Sequence, residues 1–202
     1  MSERHPETLH NIPIFPLRTV LFPGGPIPLR IFEPRYLDMI SRCLRTDSPF
    51  GVCLIREGRE VGGASTPHPL GTLARIVDWE QGRDGLLAIL ALGGDRFEIT
   101  DTWLAPNRLR MADILTLPNP DRISLPPQPD DIVELLDRVM TMNSLGYQHC
   151  TRSDRDAEWL GGRLAELMPV TLERKQQLLA MNDPLERLQA LQELLPQLRL
   201  PE

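Results

Sequence analysis

"IPIFPLRTVLFPGGPIPLRIFEPRY", residues 12–36, is the stretch that decides how this chain folds. It is apolar and rich in strand-forming residues, yet proline interrupts it six times, at Pro13, Pro16, Pro23, Pro26, Pro28 and Pro34. Proline has no N–H to donate to a sheet, so it is confined to edge strands, strand ends and bulges. The stretch therefore cannot be one long central strand. We expect its prolines to end strands and to protect edges in a sheet that is closed or strongly curved.

The rest of the amino-terminal half also has the pattern of short strands. Segments such as "FGVCLI", "GTLARIVDW", "GLLAILALGG" and "RFEITDTWL" are apolar or β-branched, and the turn residues of "EGRE", "EQGRDG" and "GGD" separate them. One stretch differs, because Pro34 suits a first helical position and apolar residues then recur at helical spacing. We predict a β-rich subdomain over residues 1–117, with one inserted helix at about 33–44.

The carboxyl-terminal part has the pattern of helices. A proline-rich connector, residues 118–129, precedes it, and amphipathic segments with polar helix starts then follow over residues 130–202. The predicted starts are Asp131 with Glu134, Ser153 to Asp156 before a helix that stops at Pro169, Thr171 before a helix that ends at Asn182, and Asp183-Pro184 with Glu186. The sequence thus predicts an α+β fold, in which a β-rich part is followed by a helical bundle.

Composition excludes several classes of function. The 202 residues carry a net charge of -6 with no run of basic residues, which disfavours binding to nucleic acid. Three cysteines at unrelated spacings indicate free thiols in a reducing compartment. The start has no signal-peptide pattern, and no run of 18 apolar residues occurs. We expect a cytoplasmic protein that does not enter a membrane.

No catalytic, cofactor or metal motif stands out. There is no phosphate-binding glycine loop, and no cysteine or histidine pair has metal-ligand spacing. The only lysine, Lys175, is predicted on an exposed helix face, where it would stay charged and could not act as a base. The adjacent His149 and Cys150 cannot readily aim their side chains at one point. We expect no enzyme activity, no cofactor and no metal.

One polar cluster, Arg30, Glu33, Arg35 and Tyr36, has two interpretations. It could grip a peptide, or Glu33 could pair with an arginine and stabilise the start of the helix at Pro34. Phe22 joins the first interpretation, since a proline-rich turn leaves apolar side chains exposed and the region could line a groove between sheet and helices. The alternative is that Phe22, Phe32 and Tyr36 all belong to the core.

These residues also resemble a known family. "IPIFPLRTVLFPGGPIPLRIFEPRYLDMI" resembles the opening of the amino-terminal, substrate-binding domain of Lon proteases, and "LGTLARI", "LGGDRFEI" and "ERKQQLLAMNDPLERLQAL" follow in the family's order. The resemblance implies a PUA-like, barrel-like sheet followed by a helical bundle. It also implies a module that binds protein or unfolded polypeptide.

The ATPase and Ser–Lys peptidase modules of full Lon proteases have no counterpart in the 202 residues. We therefore expect a stand-alone, non-catalytic recognition protein of unknown partner and oligomeric state. Two alternatives stay open: RNA binding, because PUA-like sheets in other proteins bind RNA, and a small-molecule enzyme that uses the Glu33 and Tyr36 region.

Overall fold

The computed structural model describes residues 5–60, 65–82, 86–117, 119–126, 130–142 and 146–194. Its elements run in the order expected, with strands first and helices after them. They are β1 (Thr8–Leu17), β2 (Pro26–Ile31), α1 (Pro34–Thr46), β3 (Phe50–Glu57), β4 (Thr66–Pro67), β5 (Leu70–Gln81), β6 (Leu87–Leu104), β7 (Arg110–Leu117), α2 (Asp130–Met142), a 3-10 turn (Tyr147–His149), α3 (Ala157–Leu167), α4 (Leu172–Ala180) and α5 (Pro184–Leu194).

The strands close into a barrel. The order β1-β7-β6-β5-β3 is antiparallel throughout, and β3 then pairs with β1 in parallel, which completes the ring. Strand β2 adds to β6, and the short β4 adds to β3. The expectation of a closed sheet and an α+β fold is confirmed. Closure removes sheet edges that would otherwise invite aggregation.

The position of each proline now has a reason. Strand β1 exchanges partners at Ile14, pairing with β7 before it and with β3 after it, so Pro13 and Pro16 each lie where one side of the strand is unpaired. The pairing described for β2 is with β6 alone, so Pro26 and Pro28 lie on an edge strand. Pro23 lies in the turn that Gly25 N closes onto Phe22 O at 3.0 Å, and Pro34 begins α1.

The predicted helix starts hold where their side chains are described. Asp156 accepts a hydrogen bond from Glu158 N before α3, Thr171 accepts one from Arg174 N before α4, and Asp183 accepts one from Leu185 N at 2.8 Å. The Asp131 side chain lies outside the described part of the chain, so that cap stays a prediction. Helix α2 begins at Asp130, after the connector, and the division into two subdomains also stays a prediction.

The helices pack on the barrel through a mixed apolar core. Val20, Phe22 and Leu54 from the barrel side pack with side chains of α3, α4 and α5, including Ala165 and Leu178. Burial of such apolar surface is the main stabilising term in folding. This core fixes the helical part against the turn between β1 and β2.

Two buried arginines bind the carboxyl end of α4. Arg96, from β6, donates to Leu179 O at 2.8 Å and Met181 O at 3.1 Å. Arg187, from α5, donates to Leu178 O at 2.9 Å and Met181 O at 2.7 Å, and it pairs with Glu158 at 2.9 Å. Positive charge is favourable at a helix carboxyl end, where backbone carbonyls lack partners. The two side chains therefore join α4 to the barrel and to α5.

Candidate functional site

A groove lies between the β1–β2 region and the helical part. It consists of an inner cavity of about 330 Å³ and an outer cavity of about 250 Å³. Among the described residues, both cavities are lined by Leu17, Pro28, Leu29 and Glu60, so the two cavities adjoin. The inner cavity reaches the helical elements, whereas the outer cavity follows the end of β2 and the start of α1.

The walls of the groove come mainly from the proline-rich stretch itself. Residues 17–21 form one wall of the inner cavity, and residues 26–29 of β2 form the opposite one. Because β2 is an edge strand, it leaves space beside it that a central strand would fill. The prolines therefore create the groove as well as ending the strands.

A cluster of polar side chains closes the inner end. Fully buried Arg163 donates to Glu166 Oε1 at 2.8 Å and to Pro23 O at 3.1 Å. Tyr147 Oη donates to Glu166 Oε2 at 3.3 Å. Burial raises the pKa of Glu166, although the Arg163 charge and hydrogen bonds oppose that shift, and burial likewise raises the pKa of Tyr147.

Lys175 lies at the same end, and its predicted exposure is wrong. The side chain is half-buried, and Nζ donates to Glu166 O at 2.6 Å. That carbonyl belongs to the last turn of α3, where backbone oxygens have no helical partner. Burial lowers the pKa of Lys175, and the nearby Glu166 opposes this shift. The local sequence of α4 could not show that α3 lies against this face.

Each of the two glycines in the turn is required for its own reason. A Cβ at Gly25 would overlap the Glu166 carboxylate and would lie 2.6 Å from Arg163 Nη2. Gly24 has a φ of +71°, a conformation that L side chains rarely adopt, and its N–H donates to Gly93 O at 2.7 Å. The turn thus fits closely over the ion pair below it.

The predicted cluster lies at the outer cavity, with each member in a different setting. Arg30, Glu33 and Tyr36 line the cavity, whereas Arg35 lies beside it. Arg35 pairs with Glu33 at 2.8 Å, donates to Arg108 O at 3.2 Å, and lies 4.7 Å from the centre of the Tyr36 ring. The interpretation that Glu33 pairs with an arginine is therefore seen directly. Whether the cluster binds a partner stays a prediction.

The aromatic residues Phe22, Phe32 and Tyr36 are neither all exposed in the groove nor all in the core. Phe22 has no exposed surface, so a partner could reach it only after a rearrangement of the core. Tyr36 is buried and stacks on Phe15, with ring centres 4.0 Å apart, and burial raises its pKa. Phe32, by contrast, is 51% exposed and lines the outer cavity. Its position next to buried Ile31 at the end of β2 is the signal that sequence reasoning missed, since side chains alternate along a strand.

Metal-ligating and thiol side chains were the other candidates for chemistry in the described residues. They include no group of three His, Cys, Asp or Glu side chains placed to hold a metal ion. Burial raises the pKa of Cys43, Cys53 and Cys150, which disfavours the reactive thiolate. In the same part of the chain, every helix is too short or too polar to cross a membrane.

Barrel, helices and groove together define an α+β domain with a cleft between a closed sheet and a helical part. The family model for the ATP-dependent protease La (LON) substrate-binding domain matches residues 11–197. The chain therefore belongs to the Lon substrate-binding domain family.

Two solved structures are similar over almost the whole chain. A Lon N-terminal domain protein from Xanthomonas campestris is 35% identical with a TM-score of 0.72, and the match covers 92% of this chain and 98% of that one. The N-terminal domain of the Mycobacterium avium complex Lon protease has a TM-score of 0.60 at 17% identity, covering 92% and 96% of the two chains. The second likeness shows the fold alone.

Curated relatives are much longer proteins. Protein cereblon from Danio rerio is 29% identical over 151 residues, which is 70% of this chain and 34% of the relative. Lon protease 2 from Myxococcus xanthus is 32% identical over 106 residues, 52% of this chain and 11% of the relative. The chain thus spans about a third of the first relative and about a tenth of the second.

Proposed function

We propose that this protein binds extended or unfolded polypeptide in the groove and that it catalyses no reaction itself. The observation that carries the proposal is the groove, whose two adjoining cavities follow β2, with the inner one reaching the helical part. Membership of the Lon substrate-binding domain family supports a role in recognising protein substrates. It also supports protein or polypeptide as the partner, while the net charge of -6 disfavours nucleic acid.

The lining suits a polypeptide segment. Exposed Pro28 and half-buried Leu29 present apolar surface in both cavities, and charged groups are spaced among them. The inner cavity, about 330 Å³, falls within the size range of clefts that enclose small ligands rather than folded domains. Exposed Phe32 adds an aromatic side chain of the kind enriched where proteins bind.

A direct test uses reduced, carboxymethylated α-lactalbumin, which cannot refold. Native α-lactalbumin serves as the comparison. We expect the unfolded form to bind the purified chain, as measured by fluorescence anisotropy, and the native form to bind much more weakly. Phe32→Ser should weaken binding about fivefold, because an exposed aromatic at a binding site contributes about 1 kcal/mol or more.

Trp79→Ser is the matched control. Trp79 is also exposed, at 58%, but it lines neither cavity of the groove. Equal losses in the two variants would show that the groove is not the site. No difference between unfolded and native α-lactalbumin would contradict the proposal itself. Incubation with ATP and separately with casein should give no turnover, and reproducible turnover would contradict the non-catalytic part.

A further inference from the structure

We propose that the inner cavity holds the C-terminal carboxylate of an apolar polypeptide tail, with Lys175 as the residue that binds it. This inference rests on the proposed function, since it names which part of a polypeptide occupies the groove. Three features of the inner end carry it: its charge, its closure and the chemistry of its walls.

The charge at the inner end is positive. The Glu166 carboxylate already has a partner in Arg163, so the pair contributes no net charge. Of the other charged residues that line the inner cavity, Lys175 and Arg18 are positive and Glu60 is negative. One unit of positive charge is left, and Lys175 is its most buried source. The ammonium group has three N–H donors, and the contact with Glu166 O uses one of them.

The inner end is also closed. Arg163 donates to Pro23 O at 3.1 Å and to the Glu166 carboxylate at 2.8 Å. Helix α3 and the β1–β2 turn are therefore in direct contact, and Gly25 leaves no space between them. A polypeptide that follows the groove from the outer cavity cannot continue past this contact. A chain that reaches this contact has to turn out to solvent or end there, and a carboxyl end would bring an anion to Lys175.

The walls disfavour the usual alternative, in which a peptide adds to an edge strand. Pro28 pairs with Leu90 in the β2–β6 ladder and has no N–H, so the pair cannot be one that exchanges hydrogen bonds. The backbone of Pro28, and of Pro26 two residues earlier, therefore faces away from β6 and toward the open edge. That edge lacks two of the donors a new strand would need. Recognition has to come from apolar contacts and from the terminal carboxylate.

The experiment uses a fluorescein-labelled peptide pool of about nine residues, an extended length of about 30 Å, with apolar residues randomised at the carboxyl end. The same pool is prepared as free acid, as C-terminal amide, and as amide with one aspartate among the final residues. Binding to the wild-type protein is compared with binding to Lys175→Met and to Arg174→Met. Arg174 is the adjacent basic residue and lines neither cavity, so its variant matches the change in charge.

The free acid should bind the wild-type protein about tenfold to hundredfold more tightly than the amide, as expected for charge-assisted hydrogen bonds. Lys175→Met should remove this preference, and Arg174→Met should keep it. Thermal unfolding of each variant verifies that it is folded. The ratio of the affinities of acid and amide peptides for the wild-type protein tests the inference without any variant.

Three results would overturn the inference. Equal binding of acid and amide would show that no carboxylate is read, and equal binding of the acid and the aspartate-containing amide would show that the terminus is not required. A preference that survives in Lys175→Met would assign the carboxylate to another residue. If unfolded α-lactalbumin still binds in any of these cases, the proposed function stands. If neither it nor any peptide binds, both fail.

Discussion

Arg163 and Glu166 lie one turn apart on α3 and form an ion pair, with Nη2 and Oε1 2.8 Å apart, directly beneath the Phe-Pro-Gly-Gly turn. Arg163 also reaches Pro23 O, 140 residues earlier in the chain. The pair thus joins the two halves of the molecule. A buried pair of this kind is costly to break, because the partner that is left keeps its charge without compensation.

Gly25→Ala should destabilise the protein by about 1–3 kcal/mol, because the new methyl group overlaps the Glu166 carboxylate and presses on Arg163. Urea unfolding followed by circular dichroism measures the change. Gly94→Ala is the control, since a Cβ there would be 3.5 Å from its nearest neighbour. Similar losses in both variants would show that the close fit over the ion pair is not the cause.

Glu166→Gln should flatten the dependence of stability on pH. Burial raises the pKa of Glu166 in the folded protein above the ordinary value of 4.5, so the folded state binds more protons than the unfolded state between the two values. Stability from this group is therefore greatest below 4.5 and is lost as pH rises through the folded pKa. The variant stays neutral at every pH and should lack that loss, so its stability relative to wild type should rise as pH rises through the folded pKa of Glu166.

Unfolding free energies at intervals from pH 4 to pH 8 provide the comparison for Glu166→Gln. A difference curve between wild type and variant that does not change with pH would contradict the raised pKa of Glu166.

Arg187→Leu should lower the free energy of unfolding by about 3–5 kcal/mol, the usual cost of removing one partner of a buried ion pair. The change leaves Glu158 without its partner and removes donors from the carbonyls at the end of α4. Arg174→Leu, on the same helical layer, is the control and should change stability by less than about 1 kcal/mol. The prediction fails if the two melting temperatures are alike.

Arg35→Glu tests whether the predicted cluster is a binding surface or a scaffold. The new carboxylate would face Glu33, and the contacts with Arg108 O and the Tyr36 ring would be lost. We expect the free energy of unfolding to fall by about 1–3 kcal/mol, with binding of unfolded polypeptide kept by the folded fraction. Arg42→Glu, at an exposed position of α1, serves as control. Lost binding without lost stability would instead favour a direct role for Arg35.

The strand breaks and helix starts could be predicted because their causes are local. Proline excludes itself from a paired strand, and Asp183 with Pro184 begins a helix, whatever the rest of the chain does. The inserted helix was predicted at about 33–44 and is found at Pro34–Thr46, where Asp47 in a left-handed conformation ends it. The resemblance to the family added the prediction of a barrel-like sheet followed by several helices, and the observed fold confirms that prediction.

The candidate site depended on contacts that no local pattern contains. The exposure of Phe32 and the burial of Phe22 follow from how the end of β2 and the β1–β2 turn meet the rest of the molecule. Lys175 has a polar sequence neighbourhood, yet it is half-buried because α3 lies against its side of α4. Sequence alone thus predicted most strand and helix limits, since propensity acts over a few residues. The turn predicted at "GGD" is wrong, because pairing with β5 carries β6 through Gly93, Gly94 and Asp95 as one strand. Tertiary structure alone decided the groove, its charge and the pKa of its lysine, because burial and electrostatics depend on groups far apart in the chain.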